Sequence, residues 1–157
     1  MKKLKRNRQS GFTLVELIAV MVILGILAAF AVPRFISAES NARAASAKAL
    51  AGALNAGSSL AHSLAVISGF TSGAGTVTME GNAVALTNGY PTAATNAGIA
   101  AAVPIDTNYY LGTASGSVVT FGVVVSGTTT QANCYVTYTQ ASSTTSPAAI
   151  GITTSGC

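Results

Sequence analysis

Residues 11–33 read GFTLVELIAVMVILGILAAFAVP, 23 residues whose only charge is Glu16. As a helix this run is long enough to cross a hydrocarbon core of about 30 Å. A carboxylate kept inside such a segment is costly in lipid, so Glu16 is a candidate functional residue. The ten residues ahead of the run carry five of the chain's eight bases, Lys2, Lys3, Lys5, Arg6 and Arg8. Bases before an apolar run hold that end of the chain on the cytoplasmic side.

The formal charge of +4 therefore belongs to the leader and not to a folded surface. Past residue 11 there remain Arg34, Arg43 and Lys48 against Glu16, Glu39, Glu80 and Asp106, a balance of −1. A nucleic-acid footprint needs bases clustered on a folded face, so no nucleic-acid partner is expected. Charged residues make up only 8% of the chain, far below a typical soluble protein. His62 is the only histidine and lies among Ala, Ser and Leu, where a packed or solvent-facing residue is expected. With two cysteines and one histidine, a four-ligand structural metal site is not expected. Gly73-Ala74-Gly75 lacks the third glycine of a dinucleotide fingerprint, and no phosphate-loop lysine is present. The chain is expected to be no enzyme and to need no cofactor. Cys134 and Cys157 lie on what would be the outer side, where a single disulfide is the natural reading; two buried or free thiols are the alternative. The stretch from residue 126 to 157 holds 14 Ser or Thr, read as a solvated loop rim in preference to glycan sites or an adhesive face.

Part of the N-terminal pattern fits an ordinary export signal, with Ala29-Phe30-Ala31 as a cleavage site and Val32 as the first mature residue. Against it stand an apolar run longer than the usual 7–15 residues and the presence of Glu16. The stretch Gly11-Phe12-Thr13-Leu14-Val15-Glu16-Leu17-Ile18, following a basic leader and leading into about twenty apolar residues, resembles the prepilin signature of type IV pilins. The related pseudopilins of type II secretion share it. The resemblance implies cleavage between Gly11 and Phe12 by a membrane-embedded prepilin peptidase, followed by N-methylation of Phe12. It also implies that Glu16 pairs with the Phe12 terminus of an adjacent subunit, in place of the same-chain pair that four-residue spacing allows. Gly25 and Pro33 are the expected weak point and kink of the helix. The stretch between them is implied to lose helical order in a filament. VALTNGYPTA, residues 84–93, is similar to the mannose-sensitive haemagglutinin pilins.

Beyond Pro33 the chain turns polar while staying rich in alanine, the best helix former. Leu50, Leu54, Gly57, Ala61, Leu64 and Ile67 recur at helical spacing, so one helix is expected over residues 12–67. Residues 76–79 and 83–86, joined by Glu80-Gly81-Asn82, read as a hairpin, and Asn88-Gly89-Tyr90-Pro91 as a turn. Residues 93–103 read as a short Ala-rich helix; 117–125, 134–140 and 149–154 read as strands. The fold class expected is α+β: a long N-terminal helix packed against a small antiparallel sheet. The expected organisation is a cleaved leader (1–11), a transmembrane and filament-core helix (12–34), an amphipathic second half (35–67), and a head closed by a C-terminal disulfide loop (68–157).

The function implied is the major structural subunit of a type IV pilus, polymerising through its N-terminal helix for surface attachment. The partners implied are copies of itself, the prepilin peptidase, an assembly platform with its ATPase, and the inner membrane. The head would first face the periplasm and later the outside of an extracellular pilus. A pseudopilin or a DNA-uptake pilin shares the architecture. Major pseudopilins usually carry a calcium-site loop and lack this disulfide, whereas Cys134/Cys157 resembles the disulfide-bounded loop of pilins.

Overall fold

The computed structural model describes residues 12–157, so the expected leader and Gly11 lie outside the described residues. Helix α1 runs from Leu14 to Ile67 and contains both Gly25 and Pro33. Its end is set by Gly69, at φ +79°. The Gly69 N–H donates to Val66 O at 3.2 Å and the Phe70 N–H to Ala65 O at 2.8 Å. That pair of reversed bonds satisfies the last-turn carbonyls, and glycine adopts the left-handed conformation it needs without steric cost.

The chain divides into two compact units, Met1–Glu39 and Ser40–Cys157. The second holds two antiparallel sheets. In one, β1 (Ala74–Met79), β2 (Asn82–Thr87) and β3 (Tyr90–Pro91) follow in chain order. Val77 faces Val84 across the first pair. The two-residue turns between them, Glu80-Gly81 and Asn88-Gly89, have positive φ at both positions, as tight hairpins with right-handed twist require. The other sheet is a meander of β4 (Tyr110–Ser115), β5 (Val118–Ser126), β6 (Thr129–Thr139) and β7 (Ala149–Thr153). A one-turn helix, α2 (Ile99–Ala102), lies between the sheets in sequence.

The α1 residues of this unit bury a narrow stripe of mostly small side chains: Ala47, Leu50, Ala51, Leu54, Gly57, Ser58, Ala61 and Ala65. Leu50 and Leu54 join Phe121, Val136 and Tyr138 in one core cluster. Ala61 and Ala65 join Val77, Met79, Val84 and Leu86 in a second. The small residues let other backbone come close. At Gly57 an added Cβ would collide with the Val103 side chain and lie 3.2 Å from the Ala102 carbonyl.

The α+β arrangement is as expected, with particular differences. The head has two sheets rather than one. The helix expected over residues 93–103 shrinks to four residues, because Gly98 lies against the Thr92 carbonyl and the Ala97 carbonyl accepts from the Ala85 N–H of β2. These contacts tie the segment to a strand. Strand β4 was not expected, and β6 begins five residues before Cys134. Ile67 leaves the buried stripe and is 82% exposed.

Candidate functional site

The first turn of α1 is closed by Thr13 and Glu16. The Thr13 N–H and hydroxyl donate to Glu16 Oε2 at 2.8 and 2.9 Å, while the Glu16 N–H donates to Thr13 Oγ1 at 3.2 Å. These reciprocal bonds are a capping box, which satisfies backbone donors that a helix start otherwise leaves open. Sequence reasoning assigned Glu16 to the chain terminus and overlooked Thr13, although Thr-x-x-Glu before an apolar run is itself a readable capping signal. Both side-chain bonds use one carboxylate oxygen. Glu16 therefore keeps acceptor capacity for a further donor.

Behind the box, sixteen large apolar side chains from Phe12 to Ile36 are each more than half exposed. The same helix is long and apolar enough to cross a membrane. An apolar surface this continuous is not left in water by a soluble monomer, so it marks a face meant for lipid or protein. At Pro33 the helix loses a backbone donor. The Ser37 hydroxyl donates to the Pro33 carbonyl at 3.0 Å.

In the head, Cys134 and Cys157 are disulfide-bonded, with Cα atoms 4.8 Å apart. The closing segment is also hydrogen-bonded: the Gly156 N–H donates to Asn133 O at 3.0 Å, and Gln131 Nε2 to Gly156 O at 2.9 Å. Arg43 of α1 donates to Gln131 Oε1 at 3.4 Å, so the loop is tied back to the helix. Tyr138 is fully buried and donates its hydroxyl to Pro91 O at 2.8 Å, linking the two sheets. Burial pushes this phenol up to about 12; the Ser58 side chain opposes the shift and nearby Tyr90 adds to it. Tyr110 donates to the Ser46 carbonyl at 2.9 Å, and burial raises it as well. His62 packs as a structural residue. Its ring stacks on Tyr90, 4.1 Å between centroids, and Nδ1 donates to Gly89 O at 2.8 Å.

The chain thus carries an uncovered apolar helix opened by a Thr13–Glu16 capping box and a sheet head closed by a disulfide. The family described as "Prokaryotic N-terminal methylation motif" matches residues 6–32. Over 45 residues the chain is 51% identical to the type II secretion system core protein G of Pseudomonas aeruginosa, covering 29% of this chain and 32% of that protein. Over 54 residues it is 46% identical to the type IV narrow pilus major component PilA5 of Thermus thermophilus, covering 34% of this chain and 47% of that protein. The matches thus span less than half of either relative. No solved structure gives a significant match.

Proposed function

We propose that the chain is a subunit of a type IV pilus, made as a membrane-anchored precursor and polymerised into an extracellular filament for surface attachment. The observation that carries this reading is the methylation motif running directly into a helix whose large apolar side chains are uncovered. A prepilin peptidase cuts between Gly11 and Phe12 and methylates the new terminus. The Thr13–Glu16 box survives that cut, because neither partner lies in the leader. During assembly the second oxygen of Glu16 accepts the Phe12 ammonium of a neighbouring copy, which fixes the axial register of helices that would otherwise slide in lipid. Gly25 and Pro33 mark where the helix yields as it packs. The head faces the periplasm until an assembly platform and its ATPase extract the subunit from the inner membrane. The disulfide-closed loop and the resemblance of the sequence of residues 84–93 to the mannose-sensitive haemagglutinin pilins support a pilus role. No nucleic-acid partner belongs to this reading.

The 51% identity with core protein G favours a second reading, a pseudopilin of a secretion system. Deleting the gene separates the two: loss of surface filaments supports the pilus, and loss of protein secretion supports the pseudopilin. Mass spectrometry of the mature protein tests what they share. The expected terminus is Phe12 bearing one methyl group, and a terminus at Met1 or Val32 contradicts both.

A further inference from the structure

The unit Ser40–Cys157 contains four side chains of the Asp, Glu, Lys and Arg types: Arg43, Lys48, Glu80 and Asp106. Of the two acids, Glu80 lines a groove and Asp106 does not. This open groove of about 900 Å³ is lined by Leu60, Leu64, Met79, Val103 and Ile105, with Glu80 among its lining residues and Asp106 next in sequence to Ile105. Asp106 is engaged locally, its Oδ1 accepting from the Asn108 N–H at 2.9 Å and Asn108 Nδ2 at 2.8 Å. Glu80 is exposed and has no ion-pair partner among the described residues. It also sits at φ +49°, a left-handed position uncommon for Glu and usual for Gly, Asn or Asp.

Of this unit's two bases, Arg43 is half-buried and bonded to Gln131. Lys48 is exposed on α1 with no ion-pair partner among the described residues. One helical turn to either side of it stand Ala45 and Gly52, both exposed, and an added Cβ at Gly52 would meet nothing within 4 Å. A helix face this small can enter a groove closely. The groove in turn exposes apolar surface for it to cover, since Leu60 is 55% exposed.

We infer that this groove receives the Ala45–Lys48–Gly52 face of a second copy of this chain, with Lys48 of the entering copy paired to Glu80 of the receiving copy. The contact is head-to-tail, because each copy presents the helix face and the groove at different places. It can therefore repeat along a filament rather than closing a dimer. This inference rests on the filament reading and goes beyond it, since the methylation motif does not involve the head.

The test is charge reversal with rescue, backed by cross-linking in assembled filaments. Lys48→Glu and Glu80→Lys should each cut sheared filament yield by up to about fivefold, as a lost rim ion pair implies. The double variant should return yield to near wild type. Singles that assemble normally, or a double that stays as poor as the singles, overturn the inference. In filaments carrying Lys48→Cys and Glu80→Cys together, a short bismaleimide should give a ladder of cross-linked subunits. Filaments that form but give no ladder overturn the groove contact and leave the filament reading intact. Wild-type cells that make no filament overturn the filament reading and this contact with it.

Discussion

Residues 14–39 of α1 are exposed along their whole length, whereas residues 40–67 of the same helix contribute eight buried positions. The first stretch is built of Leu, Ile, Val, Met and Phe on all sides; the second is mostly Ala, Ser and Gly, with Leu50 and Leu54 in its buried stripe. A helix destined for lipid or for a bundle of its own kind needs apolar surface all round. A helix packed on a sheet needs only one stripe, and small residues bring the backbones close. One continuous element thus serves two environments, and composition decides which.

The comparison breaks most visibly at Glu16. Glu16→Val leaves residues 11–33 without a charge, and the subunit should still insert and be processed. It should nevertheless fail to build homogeneous filaments, because the charge proposed to set register is gone. Electron microscopy of cells expressing only this variant checks it; filaments of wild-type number and symmetry would contradict the role given to Glu16.

Matched truncations sharpen the contrast. Leu54→Ala, at a fully buried position, should destabilise the head by about 2–5 kcal/mol. Leu24→Ala, in the exposed stretch, should leave head stability unchanged. Denaturant unfolding of the full chain in detergent, followed by tyrosine fluorescence, reads both. Next in size, Cys134→Ser should cost about 3 kcal/mol for a loop with its ends 23 residues apart. It acts on the head and should not alter membrane insertion.

A smaller effect should appear at high pH. The Tyr138 phenol is pushed up to about 12 in the folded head, from 10.0 unfolded. The folded state therefore keeps a proton that the unfolded chain gives up. Stability from this group is fully present below about pH 10 and is lost as pH rises from 10 to 12. Tyr138→Phe should flatten most of that decline, leaving the part due to Tyr110. The smallest effect is expected from Thr13→Val, which removes one arm of the capping box. Amide exchange of the first turn should quicken while head unfolding stays unchanged.

Much of the architecture was legible in the sequence. The end of α1 at Ile67 follows from the glycines after it, and the β1–β2 hairpin from the short runs TVTM and AVAL around Glu80-Gly81-Asn82. Strand β4 was not legible, because YLGTAS holds Gly, Ala and Ser, which favour strands weakly. It is a strand through its pairing with β5, from Tyr110↔Val123 to Ser115↔Val118. The Ala-rich segment at residues 93–103 misled for the opposite reason: helix propensity lost to tertiary bonds from the Ala85 N–H to the Ala97 carbonyl and from the Ala93 N–H to Gln140 Oε1. At the N-terminal segment the single charge made Glu16 conspicuous. Thr13 was missed because its role depends on Glu16 three residues later.

The central claim is that residues 14–39 stay uncovered within the chain until lipid, and later other copies, cover them. Nitroxides placed singly at Leu24 and at exposed Ala56 test it, read by electron paramagnetic resonance with oxygen as the lipid-phase relaxant and a nickel chelate as the aqueous one. In membranes, position 24 should respond to oxygen and position 56 to the chelate. In filaments, position 24 should respond to neither. A response of position 24 to the aqueous chelate in either state would contradict the account.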